Sequence, residues 1–102
     1  MYGLLEKDMD YIIKALKQLD EIDCAILYGS RAMGNYKKGS DVDIAIRGEK
    51  VTEKTIFELD DMLNEVYPLP YFFDIVHFEN LTNQDLIEHI ERCGKILFVR
   101  KK

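Results

Sequence analysis

Short apolar runs that stop at glycine or proline, each separated from the next by a stretch of helical periodicity, leave this chain few folds. Leu4, Leu5, Met9, Ile12, Ile13, Leu16 and Leu19 recur at three- and four-residue steps, which predicts an amphipathic helix. Residues 24–28 form an apolar run stopped by Gly29 and read as a buried strand. Ser30 can cap a short helix that Gly34 and Asn35 would end, and residues 37–40 form a turn. Residues 41–46 alternate, with Val42, Ile44 and Ile46 on one face of a second strand, and residues 47–50 make a loop. Thr52 can cap a helix bearing Ile56, Leu59, Met62, Leu63 and Val66, stopped by Pro68 and Pro70. Residues 71–78 are aromatic and β-branched and predict a third strand. Thr82 can cap a helix through Leu86, Ile87 and Ile90 that ends near Gly94, and residues 96–99 make a last strand. The pattern is α/β, a mixed β-sheet covered by helices. Periodicity leaves the strand order open. A length of 102 residues makes this one domain, residues 1–102.

The net charge of −5 argues against general nucleic-acid binding, because phosphate backbones need a basic surface. No apolar run approaches the ~20 residues of a membrane span. The first ten residues hold Glu6, Asp8 and Asp10, unlike a secretory signal, so a cytoplasmic protein is expected. In that compartment Cys24 and Cys93 are expected to be buried free thiols.

Three features coincide between residues 24 and 43. A buried strand runs into Gly29 and Ser30 at a helix start, where unpaired N–H groups and a hydroxyl can meet phosphate. Residues 24–40 lack any Asp or Glu but hold Arg31, Lys37 and Lys38, an island of positive charge. Arg31, beside the loop, has the fork geometry to grip phosphate oxygens. Asp41 and Asp43 share one face of a strand, and a divalent cation relieves their repulsion. Magnesium suits such a pair, since it takes few carboxylates plus phosphate oxygens. Asp74 stands among Phe72, Phe73, Ile75 and Val76 and needs a partner there. Three carboxylates on neighbouring strands can hold two metal ions about 4 Å apart, the spacing for in-line displacement at phosphorus.

The pattern Gly29-Ser30, ten residues, then Asp41-x-Asp43 resembles the signature of the DNA polymerase β-like nucleotidyltransferase superfamily. Arg31, Ala32 and Gly34 fit its continuation, and Met33 stands where many members carry a basic residue. Asp74 resembles the third metal-binding carboxylate. The short chain is similar to the minimal nucleotidyltransferases (MNT proteins) over nearly its whole length, including residues 94–98. The resemblance implies the small palm-like fold of that superfamily, without its usual substrate-binding domain. It implies catalytic and metal roles for Asp41, Asp43 and Asp74, and nucleotide contacts from Gly29, Ser30 and Arg31. It implies two Mg2+ ions and ATP as donor. The implied partner is a HEPN-domain RNase toxin, which an MNT antitoxin modifies by moving AMP onto a tyrosine; a homodimer or a hetero-oligomer with HEPN subunits would fit. Two other functions remain open: an antitoxin that acts by binding alone with a relic site, and transfer to a small hydroxylated molecule such as an aminoglycoside.

Several residues are read without a chemical role. His77, three residues after Asp74, should face the other side of its strand. His89, between Glu88 and Glu91, reads as solvated. Tyr71, Phe72 and Phe73 read as core or interface, and residues 100–102 as a frayed basic tail. Tyr36 flanks the loop and is not assigned to base stacking.

Overall fold

The computed structural model describes residues 1–101. The amphipathic stretch forms α1 (Glu6–Gln18), whose Ile12, Ala15 and Leu16 are buried. The glycine-stopped run forms β1 (Cys24–Tyr28), followed by the short α2 (Ser30–Met33). After the loop come β2 (Val42–Arg47) and α3 (Glu53–Asp61). Thr52 caps α3, its side chain accepting the Thr55 N–H while Thr55 Oγ1 accepts the Thr52 N–H. The apolar stripe after α3 continues as one π-helical turn (Met62–Val66) before the prolines. Then follow β3 (Phe73–His77), a single 3-10 turn (Phe78–Asn80), α4 (Gln84–Cys93) and β4 (Lys95–Val99).

The sheet order is β3-β2-β1-β4. β1 is antiparallel to both β2 and β4, while β2 and β3 are parallel, so the sheet is mixed as expected. The parallel pair follows from α3, the crossover that returns the chain to the same sheet end. Strand alternation sorts the side chains into two layers. Ala25, Leu27, Val42, Ile44, Ile46 and Phe73 join Ile12, Leu16, Leu59 and Leu63 in the main core. Ile26, Tyr28 and Ala45 face the other way, against Ile90 and Leu86 of α4.

Four local expectations are corrected. Ser30 is the first residue of α2 and Gly29 is its cap, because only Gly29 has the non-helical backbone there. Asn83 rather than Thr82 caps α4, its Oδ1 accepting the Leu86 N–H at 3.2 Å. Asp41 precedes β2 and is exposed, since ladder bonding begins at Val42. Arg100 is not frayed: its guanidinium donates to the carbonyls of Leu16 in the last turn of α1 and of Leu19 and Ile22 in the turn that follows. Lys102, the end of that expected tail, lies outside the described residues. Both cysteines are free thiols and half-buried.

Candidate active site

Three strands present one row of polar side chains. In the ladder Tyr28 of β1 lies opposite Asp43 of β2, and Asp43 lies opposite Asp74 of β3. Each has the strand parity of Ile26, Ala45 and Val76, so the row faces the α4 side of the sheet. The expectation that Asp43 and Asp74 sit on neighbouring strands is therefore met by direct register. Asp41 lies one residue before β2, exposed, and its charge is felt at Asp43.

Gly29 makes the turn out of β1 with φ 76° and ψ −155°, a region essentially closed to other residues. A methyl carbon at Gly29 would lie 2.5 Å from Asp43 Oδ2. Glycine is thus required twice, for its backbone and for the close approach of the carboxylate. Ser30 follows, half-buried, and Gly34 ends α2 in the left-handed conformation.

The electrostatics follow from the row. Burial, then Asp74, then Asp41 raise the Asp43 pKa above the usual carboxylate value. Burial, then Asp43 and Asp74, push the Tyr28 hydroxyl up to about 12, so it stays protonated at neutral pH. A site in which carboxylates oppose one another's ionisation is one that a hard divalent cation would relieve. Among the described residues no group of three or more His, Cys, Asp or Glu side chains is drawn together as a complete ligand set. Magnesium asks for less than that, because it leaves most of its coordination to phosphate oxygens and water. The hard oxygen donors of Asp43 and Asp74, side by side in register, fit it.

Arg31 is placed differently from its sequence reading. It is 3% exposed. Its Nε and Nη2 donate to Ser40 O at 3.2 and 2.8 Å, and Nη1 donates to Tyr2 O at 3.0 Å. The Tyr36 and Tyr71 rings each lie 5.2 Å from its guanidinium carbon. Tyr71 in turn donates its hydroxyl to Asp8 Oδ2 at 2.8 Å, and Asp8 is 2% exposed. Arg31 therefore clamps the loop between α2 and β2 to the N-terminal segment, and its fork faces backbone carbonyls. Lys37 and Lys38 are exposed on that loop.

His89 is corrected. It is half-buried, its Nε2 accepts the Gly29 N–H at 3.0 Å, and its ring meets Tyr28 edge-on at 6.2 Å. The signal was present in the helix period: His89 shares a face with Leu86, Ile90 and Cys93, at steps of three and four. His77 has the opposite parity from Asp74, as expected, and its Nε2 lies 3.3 Å from Glu79 Oε1. Of the aromatic run, Phe73 is core, Tyr71 belongs to the arginine clamp and Phe72 is exposed. A groove of about 850 Å³ lies between α1 and the π-helical turn and is lined by none of the site residues. No helix among the described residues is long and apolar enough to cross a membrane.

The chain is similar in structure to a toxin–antitoxin crystallised with AMP-PNP, with a TM-score of 0.73 and 24% identity over 91% of this chain and 74% of that one. It is similar to the toxin–antitoxin MntA-HepT, with a TM-score of 0.69 and 21% identity over 94% of this chain and 74% of that one. A putative nucleotidyltransferase from Sulfolobus solfataricus shares the fold at a TM-score of 0.50 and 17% identity, over 96% of this chain and 92% of that one. At these identities the likeness is one of fold. No curated protein matches the sequence. The family model described as "Polymerase beta, Nucleotidyltransferase" matches residues 10–102, and the chain accordingly belongs to that family of nucleotide-transferring enzymes.

Proposed function

We propose that this nucleotidyltransferase moves AMP from magnesium-bound ATP to a tyrosine of a HEPN-domain toxin, and so acts as the antitoxin of a pair. The observation that carries the chemistry is the in-register pairing of Asp43 with Asp74, with Gly29 pressed against the Asp43 carboxylate. The likeness to toxin–antitoxin structures, one of them with an ATP analogue, supports the choice of donor and partner.

Each residue then has a task. The backbone at Gly29 and Ser30, with the Ser30 hydroxyl, binds the outer phosphates. Asp41 and Asp43 would hold one magnesium ion, and together with Asp74 a second. Magnesium held there would supply neutralisation of charge on the attacking and leaving oxygens. Asp74 is the exposed member of the pair, open to an incoming acceptor, and its carboxylate takes the acceptor's hydroxyl proton. The tyrosine oxygen forms a bond to the α-phosphorus, the bond from that phosphorus to the bridging oxygen breaks, and pyrophosphate leaves. Arg31 keeps the loop shaped for this from behind, through Ser40 and Tyr2.

The test is mass spectrometry of a HEPN-domain protein encoded beside this gene, after incubation with this chain, magnesium and ATP. A gain of one or more AMP units, absent with Asp43→Asn, is the expected result. A stable complex with no mass gain would instead make this an antitoxin that acts by binding alone.

A further inference from the structure

His89 comes from α4, sixty residues beyond the loop it touches. Leu86 and Ile90 seat α4 on the sheet face that carries Tyr28, Asp43 and Asp74. From there His89 Nε2 accepts the Gly29 N–H at 3.0 Å, with the Tyr28 ring against its edge. A ring nitrogen that accepts a hydrogen bond carries no proton, so the imidazole proton in this arrangement belongs on Nδ1.

Gly29 has no side chain by which its surroundings can hold it. Its backbone lies in a sparsely populated region that persists only where neighbours over-determine it. Its N–H is the handle, and His89 grasps it. Where a side chain would project from Gly29 lies the Asp43 carboxylate, which any displacement of the Gly29 backbone toward it would crowd. We propose that His89 is a positioning residue of the nucleotide site, holding Gly29 so that the phosphate loop and the Asp43 carboxylate face the same magnesium–triphosphate group. This role rests on the nucleotidyltransferase reading above. His89 acts through Gly29 and takes no part in bond making.

The test measures equilibrium binding of ATP carrying a methylene bridge between its α- and β-phosphorus atoms, with magnesium, to the intact chain. His89→Leu fits an apolar helix face but offers no acceptor; it is expected to weaken binding about tenfold or more, the usual effect of losing a residue that orients a metal site's ligands. His89→Gln places an amide oxygen near the Nε2 position and is expected to recover most of the affinity. Glu88→Gln, on the exposed side of the same helix, should leave binding unchanged. Wild-type affinity in folded His89→Leu would overturn the proposal. Absence of nucleotide binding by the wild-type chain would overturn the enzymatic reading beneath it. A second measurement needs no variant: nuclear magnetic resonance should show scalar coupling between the Gly29 amide and a non-protonated Nε2 of His89. A protonated Nε2 would also overturn the proposal.

Discussion

Gly29 Cα and the Asp43 carboxylate are so close that a single added methyl group would sit 2.5 Å from Asp43 Oδ2. The contact makes Gly29→Ala a severe change on two grounds, backbone and side chain. Forcing alanine to φ 76° costs about 2 kcal/mol, a fall of roughly 10 °C in Tm for a domain of this size. The Asp43 carboxylate must also move, so nucleotide binding with magnesium should be lost even at temperatures where the variant is folded. Calorimetry and nucleotide titration on one sample check both parts. An alanine variant with wild-type affinity would show that the apposition has no functional meaning.

Asp43 gives the site a pH signature. Burial and the neighbouring Asp74 and Asp41 hold its folded-state pKa above the unfolded value. The folded chain then binds that proton more tightly than the unfolded chain does. The stability Asp43 contributes is greatest below the ordinary carboxylate range. It falls as pH rises from there through the raised value. In chelator at pH 7, Asp43→Asn should therefore melt higher than wild type, and the difference should vanish as pH drops below the carboxylate range. Magnesium with ATP should raise the wild-type Tm and leave the variant's nearly unchanged. A variant that melts lower than wild type in chelator at pH 7 would contradict the repulsion.

Arg31 is predicted to matter for stability first. Removing its guanidinium leaves Ser40 O and Tyr2 O without their partners and two aromatic rings without their cation. Arg31→Ala should cost about 3 kcal/mol. Arg31→Lys should recover little of this, since an ammonium cannot reproduce the planar fork. Denaturant titration decides: full stability in Arg31→Lys, with weakened nucleotide affinity, would return Arg31 to direct phosphate contact.

Arg100 offers a contrasting case far from the chemistry. Its bonds to Leu16, Leu19 and Ile22 tie the end of β4 to the last turn of α1. Arg100→Ala should lower stability by about 1–2 kcal/mol and leave transfer per folded molecule unchanged. Thermal unfolding beside a transfer assay reads both.

What was legible in the chain was what depends on near neighbours. β1 could be read because an apolar run meets a glycine, and Asp43 and Asp74 could be placed on strands because strand alternation is local, whereas Asp41 falls one residue before its strand. The register that sets Asp43 beside Asp74 depends on how α3 and its π-helical turn return the chain, and periodicity carries no such information. Arg31 misled because charge beside a phosphate loop resembles a ligand. Its commitment to Ser40 and Tyr2 is decided by how the N-terminal segment folds back. His89 misled because its flanking glutamates mark a wet face, while its three- and four-residue spacing to Leu86, Ile90 and Cys93 marks a packed one. The packed reading prevails once α4 lies on the sheet. Arg100 reads as a tail because its bonds to Leu16, Leu19 and Ile22 span about eighty residues of sequence.

The strand order also sets a sequence of events. β1 and β2 pair across one short connection, the loop that holds Gly29 and Asp41, so their closure costs little chain entropy. β3 must wait for a crossover, and α4 for the sheet face on which it rests. Amide exchange should therefore find β3 and α4 opening before the β1–β2 hairpin. A chain in that half-open form would keep its glycine turn and Asp43 but lack both Asp74 and the His89 brace, so a transient loosening of one sheet edge would silence the enzyme without erasing the fold.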